Sequence, residues 1–146
     1  MLRSERLGFT LIELLVVITV IAILAGLVGP MVFRNVGDAK VSAAKAQIEL
    51  LSLALDAYRL DNDCYPASAL GLNALRNKPA GDPEARNWRG PYVRKEIPLD
   101  PWGRPYIYKS PGEANPDSYD LLSFGRDGEP GGSGEDADAT SWSRDR

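Results

Sequence analysis

The chain has 146 residues, with 17 Lys and Arg against 20 Asp and Glu and a formal net charge of −3. It carries no His and one Cys, Cys64, which excludes imidazole acid–base chemistry, the usual zinc sites and an internal disulfide. The length suffices for one small domain beside an anchor, and nothing in the sequence resembles a phosphate-binding surface, so nucleic acid is not an expected partner.

Met1–Gly8 is short and polar, with Arg3 and Arg6. A secretory signal peptide places its small cleavage residue after the apolar core. Here Gly8 precedes that core, so cutting after it would leave the apolar helix on the mature chain. The remainder would hold 15 basic and 19 acidic side chains, a net of −4. The basic leader would stay cytoplasmic by the positive-inside rule. On Gly8 alone, an uncut signal anchor is the simpler reading.

Phe9–Gly29 spans 21 residues, about 31 Å as a helix, which matches the hydrocarbon thickness of a bilayer. One carboxylate, Glu13, lies within it. An ionised acid near the centre of a membrane helix costs roughly 2.5–3.5 kcal/mol on insertion scales, so it calls for a counter-charge. A new amino group on Phe9, made by cutting after Gly8, is the best candidate. It can come from a neighbouring copy or, one helical turn away, from the same chain. Pro30, with Gly26 and Gly29 ahead of it, predicts a kink or local melting over Ala25–Pro30.

From Val36 the pattern turns amphipathic. Ala44, Ile48, Leu51, Leu55 and Tyr58 repeat at steps of four and three, while Lys40, Lys45, Glu49, Asp56 and Arg59 occupy other faces. The helix should run to about Asp61, where Asn62, Asp63 and Pro66 end it. Ala69–Leu75 suits a short helix, and Asn77–Gly90 reads as loop. Apolar-aromatic runs at Tyr92–Ile97, Pro105–Lys109 and Tyr119–Phe124 predict a small antiparallel sheet packed on the Val36–Leu60 helix. Beyond Gly125 almost no hydrophobic pattern remains.

Asp127–Asp138 packs five carboxylates and four glycines into twelve residues. Glycine entropy and mutual repulsion make such a loop hard to order, and a hard cation gathering oxygens at about 2.3–2.6 Å removes both objections. Acids fall at positions one, three, nine and twelve of an EF-hand-like frame, with Gly132 at six. Gly131 lacks the fifth-position ligand, Asp138 replaces Glu and no helices flank the segment. Two readings stand level: a calcium loop of another architecture, or a solvated acidic tail.

The remaining conspicuous residues read as structural. Cys64 has no His to activate it. Trp88, Trp102 and Trp142 suit packing in a thin domain, Asp100–Gly103 suits a turn with Trp102 anchoring it, and Asp61 suits a brace at the helix end. No nucleophile–base pair or phosphate loop is present, so the chain does not read as an enzyme.

The stretch Gly8-Phe9-Thr10-Leu11-Ile12-Glu13-Leu14-Leu15-Val16-Val17 resembles the class III signal of the type IV pilin-like superfamily. Further along, Tyr58–Pro66, Gly71–Leu75, Gly90-Pro91-Tyr92-Val93, Asp100–Tyr106, Tyr119–Gly125, Asp127-Gly128 and Gly131–Asp138 resemble the major pseudopilin family of type II secretion, in the same order. The likeness covers essentially the whole chain.

That resemblance implies an α+β, type IV pilin-like fold. Its long N-terminal helix has a transmembrane half and an amphipathic half, packed on a small antiparallel β-sheet with a C-terminal calcium loop. It divides the chain into a cleaved leader (1–8), a transmembrane and assembly helix (9–30) and a periplasmic domain (31–146). It implies cleavage by a prepilin peptidase between Gly8 and Phe9, N-methylation of Phe9, and assembly through Glu13. By motif, Asp127, Asp136 and Asp138 would give carboxylates to calcium, and Phe124 and Glu129 carbonyls, with another near Gly132 or Ser133. Calcium would replace the disulfide with which many type IV pilins staple this region. The family carries a larger aliphatic residue after the final Asp, where this chain has Ala139.

The implied function is that of a structural subunit of the secretion pseudopilus, polymerising to drive folded proteins through the outer membrane. Its implied partners are copies of itself, minor pseudopilins, the inner-membrane assembly platform and, before assembly, inner-membrane lipid. The alternative is a subunit of a type IV pilus for adhesion, motility or DNA uptake.

Overall fold

The computed structural model describes residues 8–80 and 85–143. The predicted leader, apart from Gly8, and residues 81–84 of the predicted loop lie outside the described residues. The chain divides into two compact units, Met1–Val36 and Gly37–Arg146.

The first unit carries the start of helix α1, Leu11–Asn62. Thr10 precedes the first turn, and its Oγ1 accepts the Glu13 N–H at 3.3 Å, satisfying one of the donors a helix start leaves open. Leu11–Gly29, 19 residues, is long and apolar enough to cross a membrane, and none of it is buried. Within it the Thr19 hydroxyl donates to the Leu15 carbonyl at 2.7 Å, leaving no hydroxyl proton unmatched. The predicted local melting at Ala25–Pro30 is not formed, for α1 continues through Pro30. Proline removes one ladder donor, and the turns on either side keep theirs.

In the second unit α1 runs on to Asn62. Asp63 then adopts a left-handed conformation, φ 62°, and donates its N–H to the Arg59 carbonyl at 2.8 Å. Asp tolerates this region better than most residues, so the helix stops within one residue of the predicted end. Ala44, Ile48, Leu51, Leu55 and Tyr58 are all buried, as their spacing predicts. Against them pack Leu72, Leu75, Tyr106, Tyr119, Leu121 and Ala139. A 3-10 turn, Gly71–Leu75, stands where the short helix is predicted.

The sheet has three antiparallel strands in chain order: β1 (Ile107–Lys109), β2 (Asp120–Ser123) and β3 (Ala139–Thr140). Ile107 pairs with Leu122 and Lys109 with Asp120, while Ser123 pairs with Ala139. The first two strands fall inside predicted runs. The predicted strand at Tyr92–Ile97 is not formed. Its backbone bonds elsewhere: the Tyr92 N–H goes to the Leu75 carbonyl at 2.7 Å, and Arg76 Nη1 takes the Arg94 carbonyl at 3.2 Å. Strand β3, which lacks a hydrophobic signature, goes unpredicted.

Two buried carboxylates organise the connections. Asp100 Oδ1 accepts the N–H groups of Trp102 (3.1 Å) and Arg104 (2.8 Å), and its Oδ2 accepts the Ser123 hydroxyl at 2.6 Å. The predicted Asp100–Gly103 turn is therefore tied directly to β2. Asp120 accepts the N–H groups of Glu113, Ala114 and Asn115 at 2.6–3.0 Å. Gly112 is required there, because a Cβ would lie 2.4 Å from Asp120 Oδ1. Asp61, as predicted, braces the helix end by accepting the Tyr92 hydroxyl at 2.8 Å. Trp88 and Trp102 pack against the core, whereas Trp142 is 40% exposed and lies apart from that cluster.

These groups set a pH window. Burial by itself would raise the Asp120 carboxyl, but the bonds from Ala114, Glu113 and Asn115 outweigh it and hold the group below its ordinary value of 3.8. Its contribution is complete above that value and is lost as the pH falls below it. At the other limit, burial pushes the Tyr106 hydroxyl up to about 12, with the charge of Asp100 adding. The folded form keeps a proton that the unfolded chain releases near pH 10, so stability declines as pH rises from there. Melting temperature against pH should show a plateau with both flanks. The Asp120→Asn variant should flatten the acid flank, and an unchanged acid flank would refute this assignment.

Candidate functional site

Functional residues form two groups, one in each unit. In the first, the Gly8–Phe9 bond lies ahead of α1 in non-helical chain, with both residues exposed. Phe9 is 77% exposed, and no atom outside its immediate neighbours comes within 4 Å of where a Gly8 Cβ would stand. A protease can reach such a bond without unwinding a helix. Glu13 is exposed too, and among the described residues its carboxylate has one partner, the Thr10 hydroxyl at 3.5 Å. Thr10 thus caps the helix start through its side chain, and the Glu13 carboxylate turns back to the Thr10 hydroxyl rather than to its backbone N–H. The Thr-x-x-Glu spacing carries that signal, although the lone acid draws attention to its charge first. A Glu13 carboxylate so weakly engaged retains lone pairs for a cation.

The second group is the loop Phe124–Asp138 in the larger unit. Arg104 holds its entrance: Nη1 donates to the Gly125 carbonyl at 2.7 Å and Nη2 to the Arg126 carbonyl at 2.5 Å. Inside, the Gly128 N–H meets the Phe124 carbonyl at 3.2 Å, and the Glu129 N–H meets Asp127 Oδ1 at 3.1 Å. The Gly131 N–H donates to Asp138 Oδ2 at 2.9 Å, while Asp138 Oδ1 is buried with no donor. Gly132 sits at φ 82°, where a Cβ would come within 2.4 Å of the Asp136 carbonyl oxygen. The loop therefore folds back on a glycine that no other residue can replace without strain.

Asp136 faces Arg126, which grips it with Nε to Oδ1 at 2.9 Å and Nη2 to Oδ2 at 3.2 Å. Glu135 is the junction with α1. Its carboxylate accepts Trp102 Nε1 at 3.2 Å, meets Arg126 Nη1 at 3.3 Å and lies 3.8 Å from Lys40 Nζ. A Cβ on Gly37 would stand 3.1 Å from Glu135, so α1 presents bare backbone there. Among the described residues no three His, Cys, Asp or Glu side chains converge closely enough to hold an ion. The loop thus brings two cations, Arg126 and Lys40, against its acids. Sequence reading missed Arg104, Arg126 and Glu135 as organisers. Only the position of Arg126, beside the acidic run, hints at it.

Two family descriptions match: "Prokaryotic N-terminal methylation motif" over residues 3–29, and "Type II secretion system (T2SS), protein G" over residues 31–142. The chain is 47% identical over 142 residues to the type II secretion system core protein G of Pseudomonas aeruginosa, covering 97% of this chain and 99% of that one. With the core protein G of Aeromonas hydrophila it shares 44% over 143 residues, 97% and 96% of the two chains. The crystal structure of the major pseudopilin from the type 2 secretion system of enterohaemorrhagic Escherichia coli matches with a TM-score of 0.61 and 38% identity. That match covers 74% of this chain and 90% of the other.

The fold and the methylation motif define a pilin-like filament subunit. More narrowly, the chain belongs to the type II secretion system protein G family and is a structural pseudopilus subunit of type II secretion. A subunit of an adhesive or motility pilus is not favoured. The family consists of structural pseudopilins rather than enzymes.

Arg104 serves two loop carbonyls with one guanidinium, and bonds from charged donors contribute about 1.5–3 kcal/mol each. Arg104→Ala should lower the melting temperature and speed amide exchange over residues 125–138 while leaving exchange in Ala44–Tyr58 unchanged. Uniform acceleration, or none, would contradict this role.

Proposed function

We propose that this chain is the major subunit of a periplasmic pseudopilus, working without catalysis of its own. It starts as a single-pass inner-membrane protein with its C-terminal domain in the periplasm. A prepilin peptidase removes Met1–Gly8 and methylates the new amino terminus of Phe9. The subunit then polymerises with its own kind, joined by minor pseudopilins on an inner-membrane assembly platform, and the growing filament drives folded proteins through the outer membrane.

One juxtaposition carries this reading: an open Gly8–Phe9 junction lies just ahead of an apolar span whose single acid is Glu13. The Phe9 ammonium of a neighbouring copy offers Glu13 a counter-charge in a medium of low dielectric, where attraction is far stronger than in water. The pairing fixes the axial register between subunits as it forms. The same chain's own Phe9 is the local competitor for Glu13, and crosslinking between chains separates the two.

The rest of α1 supports polymerisation as well. Ala43, Ala46, Leu50, Leu53 and Leu60 are exposed and follow each other at steps of three, four, three and seven. They lie roughly opposite the buried Ala44–Tyr58 face, an apolar stripe that suits a neighbouring helix.

Calcium belongs to the same proposal. The donors are hard oxygens: carboxylates of Asp127, Asp136 and Asp138 and carbonyls of Phe124 and Glu129. The buried, unpartnered Asp138 Oδ1 is the kind of atom a cation satisfies. A bound cation would supply positive charge that lets these oxygens pack closely.

Glu13→Ala should insert into membrane at least as well as the natural chain yet fail to enter filaments. Membrane fractionation, interchain crosslinking and a secretion assay read this, and normal secretion by the variant would sink the pairing. A chelator should lower the melting temperature of the detergent-solubilised chain, because a ligand at a hundredfold its Kd adds about 2.7 kcal/mol. Asp138→Ala should remove that difference. Superimposable melts of the natural chain with and without chelator would return the loop to a solvated acidic tail.

A further inference from the structure

Asp136, one of the carboxylates that the calcium reading enlists, is already engaged by Arg126. Both carboxylate oxygens of Asp136 are taken by one guanidinium in the two-pronged geometry that suits arginine best. The remaining nitrogen of that guanidinium, Nη1, reaches Glu135. In effect a monovalent cation belonging to the chain already neutralises part of the acidic loop. We propose that Arg126 is an internal counter-ion that competes with calcium for Asp136: it holds the loop folded when calcium is scarce and sets how much calcium is needed to displace it. This rests on the calcium reading given above.

Three features make Arg126 displaceable rather than fixed. Its side chain is 59% exposed, so it can leave for solvent without opening a cavity. Its backbone N–H is independently bonded to the Glu135 carbonyl at 3.0 Å, and its carbonyl is held by Arg104. The main chain therefore stays in place while the guanidinium swings. Glu135 Oε2 also provides a second acceptor within reach, so a released guanidinium need not go unpaired. Asp136 itself is held from behind, because its carbonyl packs against Gly132. Exchange of one cation for another on Asp136 requires a rotamer change and no refolding.

The consequence is a raised threshold for calcium. Each binding event must break a bidentate pair that a loop without Arg126 would lack. Exposed pairs of this kind are weak, so the handicap is modest, roughly fivefold in affinity at low salt. It should shrink as salt screens the guanidinium.

The test is calcium titration calorimetry on the full chain in detergent, comparing the natural protein with Arg126→Gln and Arg126→Lys. Arg126→Gln should bind calcium about fivefold more tightly and Arg126→Lys should fall between, because lysine keeps the charge and loses the fork. In chelator, Arg126→Gln should melt below the natural chain, and saturating calcium should close that gap. In an Asp136→Asn background the Arg126→Gln substitution should no longer change affinity. Calcium binding by Arg126→Gln but not by the natural chain would also support the competition. Equal or weaker binding by Arg126→Gln would overturn it while leaving the calcium loop standing. Absence of binding in every variant would instead remove the calcium reading, and the competition with it. Should Arg126→Gln fail to fold, Arg126→Lys decides: affinity unchanged from the natural chain rejects the proposal.

Discussion

A sheet whose strands run three, four and two residues cannot stand alone. What gives this domain a core is the single face of α1 formed by Ala44, Ile48, Leu51, Leu55 and Tyr58, each at most 1% exposed. The sheet supplies Leu121 and Ala139, the 3-10 turn supplies Leu72 and Leu75, and tyrosines close the margins. Rings stack edge-on at Tyr58–Tyr92 (5.5 Å) and Tyr65–Tyr119 (4.7 Å), giving area that so few strands could not. The buried side chains of the sheet and the 3-10 turn form one cluster with that face.

Because the sheet is short, much of the backbone relies on side chains for hydrogen bonds. Asp100 and Asp120 between them accept five backbone N–H groups and one hydroxyl, and Arg104 takes two carbonyls. Charged groups suit this work because their bonds are stronger than those of neutral partners. Buried carboxylates here are scaffolding, each saturated by donors. Asp138, by contrast, keeps an unmatched buried oxygen, and Glu13 keeps an exposed carboxylate with one weak partner. Those two acids, with capacity left over, are the ones that the proposed calcium site and subunit pairing would use.

Membership in the protein G family gives these features a common purpose. A filament subunit must survive as an anchored monomer and then present the same helix to other copies. Its exposed span and second apolar stripe suit the two environments in turn. A loop whose acids are shared between arginine, lysine and the proposed calcium ion would let the domain stay folded across changing conditions.

Apolar length located the membrane-type span, periodicity the buried face of α1, and Asn62, Asp63 and Pro66 its end, because each is a local property written in consecutive residues. The motifs around Gly8–Glu13 and Gly90–Asp138 were equally legible and pointed to the right family. Tertiary partners decided the rest. Tyr92–Ile97 has the composition of a strand, but its amide found the Leu75 carbonyl first. Ala139–Thr140 has no strand signature and became one because β2 offered it an open edge. Arg126, Glu135 and Lys40 are distant or unremarkable in sequence, and their joint hold on the acidic loop exists only once α1 and the loop share a core. Side-chain spacing speaks for segments that bury one face, whereas a polar contact between remote residues has no local signature to read.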